Sequence, residues 1–226
     1  MSKSLKKKNQ TQLATFATVN VALLAAVALG PQRLLLLAED ISKGSWLTLG
    51  KVITVPAVTA LLLGVIGWAA PREWKETLIF WRLGEKCLPS SQAFGRIAAS
   101  DPRIDEQRLL DQLGSFPVEP GKQTSAWYAI YRRHIDEPAV IDAHGAYLLY
   151  REMTGLVVTG LAAVLTGGVY FHQSWKTLLV NIGLLIVEYL IVMLAARNSA
   201  EHLVANVLAI ASASPGGSSA KKKVLS

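Results

Sequence analysis

The chain has 226 residues, of which 51% are hydrophobic and only 17% charged, with a formal net charge of +7. Water-soluble domains carry about 25% charged residues, so a soluble enzyme, a disordered chain and a disulfide scaffold are excluded as descriptions of the whole. The lone cysteine, Cys87, makes no internal disulfide, which suits a cytoplasmic position.

Residues 1–12 form a basic tail with Lys3, Lys6, Lys7 and Lys8 and no acid. A first apolar window follows at 13–30. Three more windows come later, at 52–70, 153–171 and 177–196, and only the last holds a charge, Glu188. Each approaches the roughly 20 helical residues needed to cross a hydrocarbon core of about 30 Å. The first window is therefore expected to stay in place as a transmembrane helix rather than to be cleaved as a signal. Together, 13–70 make a first transmembrane hairpin whose outer loop carries Arg33, Lys43 and Lys51.

Residues 71–152 hold eleven basic and twelve acidic residues and read as a cytoplasmic helical domain that binds a ligand or partner. Its first segment, 72–83, sets Trp74, Leu78 and Trp81 at helical spacing among Arg72, Lys75 and Arg82. That pattern fits either an interfacial helix with headgroup-level tryptophans or a buried domain helix. LPSSQAFGRIAASDPRID then reads as a loop. Asp105 is placed to cap a helix through Leu113, and Gly114 to stop it. FPVEPG reads as a second breaker, with helix resuming near Thr124 and running to about His134.

Pro138 suits a first helical turn, and no proline recurs before Phe171. One helix is expected across these 34 residues, roughly 50 Å at 1.5 Å each. It would join the domain to the third window. Residues 153–196 complete a second hairpin, and 197–226 read as a cytoplasmic tail with Arg197 and Lys221 to Lys223. The fold class expected is an all-α membrane protein with four transmembrane helices in two hairpins flanking a small cytoplasmic domain. Lys6 to Lys8, Arg72, Lys75, Arg151 and Arg197 then share one side, so both termini and the central domain face the cytoplasm of a bacterial cell membrane. The basic ends would meet its lipids.

Among the polar residues inside the apolar windows, Asn20, Asn181 and Glu188 call for an explanation. Glu188 either lines an aqueous cation path or hydrogen-bonds another helix. The two asparagines are candidates for the same pore or for helix–helix bonds. Gly155, Thr159, Ala163 and Gly167 recur every four residues and permit close packing within or between chains.

The chain contains no Walker loop, GxGxxG, HExxH, GxSxG or CxxC pattern. No enzyme activity, metal site or cofactor is expected. A different chemistry is suggested by Trp127, Tyr128, Tyr131, Arg132 and Arg133, with Arg151 on the next helix. Aromatic faces stack on bases and guanidinium groups grip phosphates. Trp127 and Tyr131, four residues apart, equally suit the core of the domain.

The runs LPSSQAFGRIAASDPRID, QTSAWYAIYRR and AHGAYLLYRE, with the four-window layout, resemble bacterial four-pass membrane effectors of anti-phage defence loci. The nearest likeness is to the Hailong-type channel effector that accompanies a nucleotidyltransferase. The resemblance implies a homo-oligomeric ion channel controlled by a nucleotide or short single-stranded DNA, disrupting membrane potential. The alternative is a membrane-anchored scaffold that recruits a soluble partner through its central domain.

Overall fold

The computed structural model describes residues 2–42, 70–81, 88–170 and 173–214. These are helical, with no strand among them. The longer helices are α1 (Ser2–Ser42), α2 (Arg72–Phe80), α3 (Glu106–Leu113), α4 (Pro120–Arg133), α5 (Pro138–Tyr170) and α6 (Trp175–Ala213). The chain divides into two compact units, Met1–Ile79 with Leu149–Ala195, and Phe80–Leu148 with Ala196–Ser226. Among the described residues, α5 and α6 are long and apolar enough to cross a membrane. Only 28% of the most apolar stretch of α6 is buried, whereas the core helix of a water-soluble protein is mostly covered. The windows at 153–171 and 177–196 lie in these helices, apart from Phe171. That at 13–30 lies within α1, and 52–69 fall outside the described residues, as do Arg82, Cys87 and Lys221 to Lys223.

α1 corrects two expectations. Residues 2–12 and 31–42 are helical, not tail and loop. The run LLLLAE beyond Pro31 consists of strong helix formers, which carry the helix past the proline.

Within the first unit α5 and α6 pack as an antiparallel pair around a short turn. The close approach is made where α5 has glycine. A Cβ at Gly168 would stand 2.6 Å from Leu178 Cδ1, and one at Gly160 3.9 Å from Leu185 Cδ2. Ser174 caps α6, its hydroxyl accepting from the Thr177 N–H at 3.2 Å. Leu178, Asn181, Leu185 and Val192 form the buried stripe of α6, spaced three, four and seven residues apart. Leu179, Val180, Ile186, Val187, Ile191 and Leu194 lie exposed, as suits a helix surrounded by hydrocarbon. α2 is joined to its unit by Tyr189, whose hydroxyl donates to the Leu78 carbonyl at 2.6 Å.

The second unit is a small helical domain with one core. Phe94, Ile97, Leu109, Trp127, Ile130, Val140, Leu203, Val204, Val207 and Leu208 are all buried in it. Residues 197–213 are thus core helix rather than an unpacked tail. Their apolar positions, 203, 204, 207, 208 and 211, repeat with helical period, and the domain closes on them. The central domain expected at 71–152 therefore gives up its first helix, α2, to the other unit and gains the C-terminal part of α6.

The Ser- and Gly-bearing stretch expected as a loop is also ordered. It forms helical turns at Pro89–Gln92, Ala93–Ile97 and Ala98–Ser100, because Phe94 and Ile97 enter the core and Phe94 stacks on Phe116 at 5.4 Å. Gln123, itself buried, fastens this segment to α4. Its Oε1 accepts from the N–H groups of Phe94 and Gly95, and its Nε2 donates to the Val118 carbonyl. Asp105 caps α3 as expected, accepting from the Arg108 N–H at 3.1 Å, and Gly114 ends it with φ 75°. α4 begins at Pro120, a few residues earlier than expected, because that proline occupies the first helical turn instead of breaking the helix. α5 runs unbroken from Pro138 to Tyr170.

Candidate functional site

α4 sorts its cluster by helical phase. Trp127 is 8% exposed and Tyr131 6%, both turned into the core, their rings stacked at 5.3 Å. Trp127 Nε1 donates to the Val204 carbonyl of α6 at 3.4 Å. The Tyr131 hydroxyl lies 2.8 Å from His144 Nδ1 on α5. Burial first, and neighbouring Tyr128 second, push that hydroxyl above its ordinary pKa. It stays protonated at neutral pH. Two of the expected ligand residues are therefore structural.

The rest of the cluster faces out. Tyr128 is 51% exposed and stacks against Tyr131 at 5.8 Å. The Arg132 guanidinium lies 5.6 Å from the Tyr128 ring centroid, within the range of a cation–π contact. Arg133 is exposed beside it at the end of α4. Tyr128 and Arg132 thus form an exposed aromatic–cation pair, with Arg133 a second exposed cation on the same last turn of α4, the chemistry that holds a base and phosphate.

Arg151 belongs to the first unit, where its guanidinium pairs with Glu152 at 2.8 Å. The other Glu152 oxygen pairs with Lys75 of α2 at 2.5 Å. Lys75 carries its charge on a side chain only 5% exposed, so this three-residue ionic cluster ties α2 to α5 at the start of the apolar stretch. Sequence reasoning used Lys75 and Arg151 as orientation markers and did not join them. The signal available was a glutamate directly following an arginine at a window's edge, which names no partner 77 residues away.

Of the expected pore set, two residues meet. Asn20 Nδ2 donates to Glu188 Oε1 at 2.6 Å, joining α1 to α6. Asn181 lies two turns earlier on α6, 2% exposed, and its Oδ1 has no hydrogen-bond partner among the described residues. The Asn20–Glu188 bond accounts for a carboxylate inside an apolar helix as a helix–helix tie, worth about 1 kcal/mol in a bilayer. Glu188→Gln retains an acceptor for Asn20 and is expected to leave thermal stability in detergent nearly unchanged. Glu188→Leu is expected to cost about 1 kcal/mol. Equal melting of the two variants would show that the bond contributes nothing.

Among the described residues no three His, Cys, Asp or Glu side chains gather to hold a metal ion. Comparison of the chain with protein families, curated proteins and solved structures returns no match.

Proposed function

We propose that the chain is an oligomeric four-pass membrane effector of a bacterial cell, an ion channel whose state is set by a nucleotide or short single-stranded nucleic acid bound on its cytoplasmic unit. Disruption of membrane potential in anti-phage defence is the role proposed for it, with a nucleotidyltransferase as the source of the ligand. Both termini and the second unit are assigned to the cytoplasm, and no catalytic step is assigned to any residue.

The observation that carries this reading is the continuity of α5 and α6. Each supplies an apolar stretch of membrane length and then, without a break in the helix, a part of the second unit's core. α4, which bears Tyr128, Arg132 and Arg133, is bonded to α6 through Trp127 and to α5 through Tyr131. A ligand that shifts α4 therefore acts on helices continuous with the proposed channel walls, and two discrete arrangements of those helices would be closed and open states. Glu188, half-buried and bonded to Asn20 through one oxygen, is the side chain proposed to meet the permeating cation with its other oxygen, whereas buried Asn181 is not placed on that path.

The test is ion flux through the purified protein in liposomes, with and without nucleotide. Arg132→Glu with Arg133→Glu is expected to abolish the nucleotide response while leaving insertion intact. An inhibitory ligand then gives constant flux and toxicity, and an activating one gives silence. A protein with no flux in either condition would leave the membrane-anchored scaffold. That second reading draws on the burial of Trp127 and Tyr131, which leaves α4 with fewer stacking rings than an extended nucleic-acid groove uses.

A further inference from the structure

The exposed end of α4 limits how much of a nucleic acid chain it can hold. A binding groove for single strands repeats its aromatic platforms, one for each stacked base, along a continuous positive track. On α4 the repeat is cut short, because Trp127 and Tyr131 face the core. Tyr128 is the one ring on its exposed face, Gly121, Ser125 and Ala129 fill neighbouring exposed positions, and the other exposed cation of α4, Lys122, is paired with Glu119 at 3.1 Å. The positive track is equally short. Arg132 and Arg133 end the helix, and the turn that follows presents Asp136 and Glu137, both exposed, within four residues. A phosphate carried past the arginines along the chain meets two exposed carboxylates, and like charges repel over the Debye length of about 8 Å at physiological salt.

We infer that this face takes a ligand of one or two nucleotides, with a base on Tyr128 and its phosphates on Arg132 and Arg133, and that Asp136 and Glu137 set the length limit by repelling further phosphates. The base takes the place of the Arg132 guanidinium over the ring, and the displaced guanidinium turns to the phosphate. This rests on the nucleotide-binding reading above and adds to it the size of the ligand and the residues that select it.

The experiment measures binding of thymidine oligonucleotides bearing a 5′-phosphate, a dinucleotide and an octanucleotide, to the full-length protein in detergent micelles. Thymine suffices because every base offers a π-face. The octanucleotide is expected to bind within about threefold of the dinucleotide. The salt dependence should correspond to about two neutralised phosphates, a slope near −1.4 in log affinity against log salt. Asp136→Asn with Glu137→Gln is expected to tighten octanucleotide binding about tenfold and to leave the dinucleotide unchanged. Both positions are exposed and both changes keep side-chain size, so the fold is preserved. A wild-type protein that already prefers the octanucleotide by tenfold or more overturns the length limit while keeping the nucleotide site. An unchanged octanucleotide affinity in the double variant removes the carboxylates from selection. If neither probe binds the wild-type protein, the nucleotide reading itself falls and this inference with it.

Discussion

Glu152→Gln is expected to destabilise the first unit by about 3 kcal/mol, the lower end of the range for removing one partner from a buried ion pair. Glu152 receives Lys75 on one oxygen and Arg151 on the other, and the Lys75 side chain is almost wholly buried. Glutamine keeps the shape but removes the charge opposite both cations. The lower end applies because the Glu152 side chain is itself 20% exposed, so water relieves part of the loss. The effect is expected as earlier unfolding of the first unit in detergent, with α2 amides exchanging faster. Lys75→Met in the Glu152→Gln background is expected to recover most of the loss. An apolar side chain of similar volume then fills the more deeply buried of the two cation positions, Lys75 being 5% exposed and Arg151 13%. No rescue by Lys75→Met would mean that Glu152 acts through Arg151 alone.

The parts of the fold read correctly from sequence are those in which local chemistry and tertiary packing agree. Asp105 and Gly114 bracket α3 because a cap and a left-handed stop are decided within a few residues. The long helix from Pro138 was legible because a proline fits only its first turn and nothing later interrupts it. The misread parts are those in which distant contacts decide. The stretch after Leu88 looks like a loop by composition, yet Phe94 and Ile97 give it a place in the core and Gln123 satisfies its backbone. The segment after Ala196 reads as a tail by its basic residues, whereas its apolar period makes it core helix. Leu203, Val204, Val207 and Leu208 carried that signal. For the candidate site, the residue types were legible but their sorting was not. Trp127 and Tyr131 fall four apart and share a face, while which face meets the core depends on α6. The Asn20–Glu188 bond spans 168 residues, and the sequence marks each as a polar residue in an apolar window in need of some partner without saying which.

The sorting on α4 makes Trp127 and Tyr128 a decisive pair, adjacent in sequence and opposite in role. Trp127→Ala is expected to cost the second unit about 3–5 kcal/mol, the usual loss for deleting a buried aromatic side chain. The ring stacks on Tyr131, and its Nε1–H satisfies the Val204 carbonyl. Its removal opens a cavity where α4 meets α6. Two units need not unfold together, so the effect is best read as faster hydrogen exchange confined to α3, α4 and the part of α6 beyond Ala196. Tyr128→Ala removes a half-exposed ring and is expected to change stability by about 0.5 kcal/mol or less. It is expected to weaken nucleotide binding by about tenfold, the worth of one stacked base. Trp127→Phe separates packing from hydrogen bonding, because it keeps most of the ring and loses the bond to Val204, at about 1 kcal/mol. The reverse pattern, with Tyr128→Ala unfolding the unit and Trp127→Ala altering only binding, would place Trp127 on the ligand and invalidate the assignment of faces on α4.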